Sequence, residues 1–174
     1  MPRDQRLIVK PTALVALGLL WLAATFTSLR FISDNMLLAI VIGLGISLLH
    51  WAALFAHHFG HALAARGTGY PMVGVRLWWW LATSLYSRDE PTLPPTIHIR
   101  RALGGPLASF AFFAAASLIA WALLSQDIGG WFLAGYAALD SLLIFGIGSL
   151  IPLGFNDGST LIQWSRAQRN DRTA

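Results

Sequence analysis

Apolar residues dominate four stretches of this chain, and polar or helix-breaking residues separate them. Residues 13–31 are nearly all apolar, enough for a helix to cross the roughly 30 Å of bilayer hydrocarbon. A second run begins at Met36, after Ser33, Asp34 and Asn35, and continues unbroken to about Arg66, where Gly67, Gly69 and Pro71 end it. A third covers residues 102–124, behind Arg100 and Arg101. After SQDIGG a fourth occupies residues 131–151, breaks at Pro152, Gly154 and Gly158, and resumes to about residue 169. Between the second and third runs the pattern changes. Residues 72–86, MVGVRLWWWLATSLY, are rich in β-branched and aromatic side chains, and Val73, Val75 and Leu77 alternate, which predicts one or two short strands. Trp78, Trp79 and Trp80 fit an aromatic belt at headgroup depth. The prolines and charges of residues 87–95 read as a loop. The expected fold class is an all-α membrane protein: a single domain, residues 1–174, of about four transmembrane helices with a short interfacial β segment between spans two and three.

Composition supports the bilayer. The chain is 174 residues long, 56% hydrophobic and 11% charged, too apolar for a soluble domain of this size. It has no cysteine, which excludes thiolate zinc sites, iron-sulfur clusters and disulfides, so a bound metal must rest on histidine and carboxylate. The net charge of +4 has the sign of a nucleic-acid binder, but the basic residues flank apolar spans and form no patch, so no nucleic-acid partner is expected. Lys and Arg number three before span one, one in the first connection, five in the second, none in the third and three in the tail. Four spans with both termini in the cytoplasm place eleven of the twelve inside. A cleaved signal peptide is the competing reading of residues 1–31, but its apolar region is usually shorter. The expected location is a bacterial plasma membrane, crossed several times. In that topology spans two and four both run inward and end on the same side.

The second span ends in HHFGHALAAR, residues 57–66. Side chains four apart share one helix face about 6 Å apart along the axis, so His57 and His61 can grip one ion. This is the zincin arrangement, except that the usual HExxH carries a general-base Glu after the first His, and here that residue is His58. Asp157 follows the fourth span in a broken stretch of helix, where a carboxylate is costly and functional unless it is wet; PLGFNDG reads equally as an interfacial turn. Two His and one carboxylate would leave a fourth position open, the catalytic form of zinc coordination. His58 as a further ligand would close the site, but it points about 100° from His57. His50 shares the face of His57 about 10 Å away, too far for the same ion, and is expected to hydrogen-bond within the bundle or line a path for water. Asp140, near the middle of span four, should face the bundle. His98 reads as an interfacial side chain.

Three separated pieces, in order, resemble the site-2 protease family of intramembrane zinc metalloproteases. HHFGHALAAR resembles the family's HExGHxxAA helix, GGPLASF from Gly104 its GPLAN motif, and SLIPLGFNDGSTLI from Ser149 its NLLPxxPLDGGRxL motif. The resemblance covers roughly residues 36–165 and implies a zinc ion held by His57, His61 and Asp157, with His58 in the position of the catalytic Glu. It departs at helper positions: the family's Asn residues are Ser149 and Ser109, one or both prolines are Gly154 and Phe155, and LDG is Asn156, Asp157 and Gly158. The expected function is a site-2-protease-like membrane protein with its metal at the cytoplasmic edge, weakened or inactive as a peptidase because the Glu is absent. A non-catalytic module that binds a single-span membrane partner is the alternative. A b-type haem bundle is a third, disfavoured because four of the five histidines share one span.

Overall fold

The computed structural model describes residues 6–125 and 128–173. The expectations for Arg3 and for part of the SQDIGG turn lie outside the described residues. Among the described residues, four helices are long and apolar enough to cross a membrane. They are α1 (Pro11–Phe31), α2 (Met36–Gly67), α3 (Pro95–Leu123) and a fourth unit in which α4 (Ile128–Asp140) continues as a π-helical segment, Ser141–Gly148. A final helix, α5 (Asp157–Thr173), lies beyond the fourth span. Three strands, β1 (Arg6–Val9), β2 (Gly74–Trp78) and β3 (Leu81–Leu85), form one small sheet in the order β1-β2-β3.

Local signals account for the helix starts. Pro11 and Pro95 occupy first helical positions, where a missing N–H costs nothing. Asn35 caps α2, its side chain accepting from the Leu38 N–H at 3.1 Å. The third helix begins seven residues before the apolar run, so Arg100, Arg101 and His98 are helical instead of lying in the connection. Gly158, expected as a helix breaker, lies in the first turn of α5, where a Cβ would strike the Leu150 carbonyl; the break itself spans residues 151–156, with Gly154 at φ 92°.

The interfacial hairpin is present as β2 and β3, joined by Trp79 and Trp80 and closed by the Trp78–Leu81 pair. The first strand was not expected. Residues 6–9, read as a basic flank, pair in parallel with residues 74–77 across more than sixty residues of sequence. Four residues alternate too briefly to announce such a distant partner. The tryptophans are half-exposed, as a belt requires, yet Trp80 is also anchored: its indole N–H donates to the Ala16 carbonyl of α1 at 3.2 Å.

The site is placed by one crossing. Helix α2 packs most extensively on α3, where Gly60 meets Gly104 backbone to backbone; a Cβ on Gly104 would lie 2.5 Å from the Gly60 carbonyl oxygen and 2.6 Å from the Ala64 methyl. His57 sits 21 residues into α2, about 32 Å along its axis, so a helix that enters the hydrocarbon near Met36 leaves it at about this crossing.

Candidate metal centre

His57 and His61 project from α2 toward α3, with their Nε2 atoms 3.0 Å apart. Asp157 reaches the same point from the start of α5, its carboxylate oxygens 3.2 Å from His57 Nε2 and 3.3 Å from His61 Nε2. Among the described residues, these three form the group of His, Asp and Glu side chains whose donor atoms lie together closely enough to hold an ion. Donors 2.0–2.1 Å from a tetrahedral zinc lie about 3.3 Å from one another, so the spacing fits a single ion with three protein ligands.

The helix α3 prepares these rings. Arg101, Gly105 and Ser109 are spaced four apart and share a face. The Arg101 carbonyl lies 2.8 Å from Nδ1 of His61, in the turn where Pro106 removes one helical rung. The Ser109 hydroxyl lies 3.0 Å from Nδ1 of His57, and the Ser109 carbonyl in turn accepts from Ser141 at 2.9 Å. A carbonyl only accepts, so His61 carries its proton on Nδ1 and turns the Nε2 lone pair inward. Gly105 leaves the space between the rings open: a Cβ there would meet His61 Nε2 and come within 2.6 Å of His57 Nε2. Lone pairs and a carboxylate brought this close in a buried setting call for a compensating cation, a role that a proton on an imidazole or a metal ion can fill.

Asp157 is held by the break that precedes it. The Asn156 side chain accepts from the backbone N–H of Leu153 and Ser159 and donates to the Ile151 carbonyl, fixing both the loop and the start of α5. Burial alone would push the Asp157 carboxyl up; in the metal-free protein, where the His57 and His61 imidazoles can carry a proton toward it, their hydrogen bonds and charge outweigh burial and hold it down at about 2. Its stabilising charge is therefore fully present above the ordinary value of 3.8 and is lost only as pH falls through about 2. His98, near the start of α3, stacks on Trp164 of α5 at 3.9 Å and 6° and so braces the helix that begins with Asp157.

His58 does not join the donors. Its Nδ1 lies 3.0 Å from the Ser84 hydroxyl on β3, and the Ala82 carbonyl is also within its reach. His50 pairs with Asp140 inside the bundle, as its apolar setting demanded. The largest feature missed in the sequence is Arg101, which is 4% exposed. Its guanidinium grips Glu90 at 2.7 and 3.0 Å and the Tyr70 carbonyl at 2.6 Å, and lies 4.1 Å from the Tyr86 ring centroid. Burial pushes the Tyr86 hydroxyl up to about 12, against the pull of that cation. One residue thus ties both ends of the segment between α2 and α3 to the carbonyl that orients His61. The R-x-x-x-G-x-x-x-S spacing of Arg101, Gly105 and Ser109 was the signal that could have found it.

The fold and the site together define a multi-pass membrane protein with a site-2-protease-like fold and a His-His-Asp cluster at the end of its bundle. Among solved structures, the chain is similar to the Site-2 Protease from Methanocaldococcus jannaschii, with a TM-score of 0.63 over 97% of this chain and 70% of that one, at 13% sequence identity. No protein-family profile matches the sequence, and no curated protein matches it.

Proposed function

We propose that this chain is a site-2-protease-like membrane protein that holds one zinc ion on His57, His61 and Asp157 at the cytoplasmic membrane edge, and is weak or inactive as a peptidase. The carrying observation is the donor triangle of 3.0, 3.2 and 3.3 Å, with the outer nitrogen of each imidazole already engaged. A zinc ion bound there would supply Lewis acidity toward a peptide carbonyl. The chain's own groups orient the rings through Arg101 and Ser109 and keep the space between them open at Gly105. What is missing is a base. Position 58 carries an imidazole engaged with Ser84, where a free carboxylate would accept a proton and return it to the leaving amine, work worth about 10² to 10⁴ in rate.

The partner is a single-span membrane protein whose helix unwinds locally and adds to β3 as a further strand. A two-residue turn closed by Trp78 and Leu81 directs the backbone groups of Leu81, Thr83 and Leu85 toward β2 and those of Ala82 and Ser84 away from it. An incoming strand meets this outer edge in competition with His58 for the Ala82 carbonyl. The same competition favours the second reading, a module that holds a partner without cutting it. The charge count supports an orientation with the centre, both termini and this edge on the cytoplasmic side, and the membrane of this reading is a bacterial plasma membrane.

Purified protein is expected to contain about one zinc per chain, and Asp157→Ala to contain little or none, since loss of one of three protein ligands removes most of the affinity. Metal-free protein with an intact fold would refute the zinc centre. Stable co-purification of a single-span protein, unchanged by chelation, would favour the binding module over the peptidase.

A further inference from the structure

Two polar contacts tie the β2–β3 hairpin to α2, one at its turn and one along β3. His50 Nε2 lies 3.2 Å from the Trp80 carbonyl at the hairpin turn, and His58 Nδ1 lies 3.0 Å from the Ser84 hydroxyl. The two histidines are eight residues apart on the helix, about 12 Å. Trp80 and Ser84 are four apart in extended chain, about 13 Å. The matched spans mean that the strand runs alongside the helix with a contact at each end, over an apolar cluster that includes Ala53, Leu54, Leu77 and Ala82.

The proton inventory of the first contact is constrained by its partners. The Trp80 carbonyl only accepts, so Nε2 of His50 carries a proton. Its Nδ1 faces both carboxylate oxygens of Asp140, at 3.1 and 3.2 Å. One further proton lies between Nδ1 and the carboxylate, and wherever it sits the pair is neutral overall. This is how an aspartate at the end of α4 is tolerated in the bundle. The carboxylate also fixes the plane of the ring, so that Nε2–H has one direction in which to donate.

We propose that His50 is a positioning residue: clamped by Asp140, it donates to the Trp80 carbonyl and sets the depth at which the hairpin, and with it the outer edge of β3, lies beside His57 and His61. For its purpose the inference rests on the reading of β3 as the strand that receives a partner; the contact itself involves no metal ligand. Without it the hairpin keeps His58···Ser84 and, at the turn, the Trp80 indole bond to Ala16, and loses the tie of the Trp80 carbonyl to α2, so the turn end is held less firmly against that helix.

Two substitutions separate this role from packing. In His50→Gln the amide nitrogen reaches about as far as Nε2 and still donates to Trp80. In His50→Asn it reaches only as far as Nδ1, keeps Asp140 and loses Trp80. Hydrogen exchange is followed on the full-length protein in bilayer discs at the amides of Leu81, Thr83 and Leu85, with zinc content measured on the same preparations. His50→Asn is expected to exchange about tenfold faster than the unmodified protein, and His50→Gln within about twofold of it. Asp140→Asn, whose amide still donates to Nδ1, is expected to remain protected. Wild-type protection in His50→Asn would overturn the proposal, and so would equal loss in the Asn and Gln variants, which is the mark of packing alone. Zinc-free preparations with the Asn and Gln variants still distinct would sink the metal reading and leave this one standing.

Discussion

Gly105→Ala is expected to empty the metal centre while the bundle stays folded. A methyl group at this position falls against Nε2 of His61 and 2.6 Å from both Cε1 and Nε2 of His57, in the space where the three donors converge. The helix itself tolerates the change, since alanine is the better helix former by roughly 1 kcal/mol. The cost therefore falls on the two rings, which must leave their 3.0 Å spacing. Zinc affinity is expected to fall by about 100-fold or more, the upper range for disturbing groups that orient ligands. Competition against a chelator of known affinity measures it, and a thermal melt of the metal-free proteins shows whether the fold is kept. Unchanged affinity in a folded variant would mean that no ion sits between these rings.

His58→Glu is expected to raise cleavage of a transmembrane substrate by about 10² to 10⁴ over the unmodified protein, the usual worth of a positioned general base. The local contacts favour the outcome. An imidazole can donate to the Ala82 carbonyl beside Ser84, whereas a carboxylate has no proton to offer it and is repelled toward the metal-facing side. The assay uses single-span substrates in proteoliposomes, with and without chelator. Zinc-loaded His58→Glu protein with no gain would show that something other than the missing Glu limits the reaction, Ser149 and Ser109 being the next departures to restore. Efficient cleavage by the unmodified chain would contradict the assignment of weak activity outright.

Much of this arrangement could be read before any coordinates. Four spans were legible because a bilayer demands about twenty apolar residues per crossing, and the runs beginning near Ala13, Met36, Ala102 and Trp131 meet that demand whatever their packing. The histidine pair was legible because four-residue spacing fixes a common helix face, whereas Asp157 was legible only through the resemblance of SLIPLGFNDGSTLI to a family motif, its own segment reading equally as an interfacial turn. Less accessible were contacts that depend on how two helices cross. That Arg101 offers its carbonyl, and not its charge, to His61 follows from the Gly60–Gly104 approach, which no local pattern states. The pairing of β1 with β2 and the turn of His58 toward Ser84 are likewise settled by chain segments far apart in sequence. The helical start at Pro95 was missed because Arg100 and Arg101 look like a flank, when one of them is the most deeply buried charge among the described residues.

The coordination shell is tested most directly by zinc-edge X-ray absorption on the purified, unmodified protein. Two imidazole nitrogens, one carboxylate oxygen and one further light ligand, all near about 2.0–2.1 Å, are the predicted result. A shell with three imidazoles, a fully hydrated ion, or folded protein that carries no zinc would contradict it.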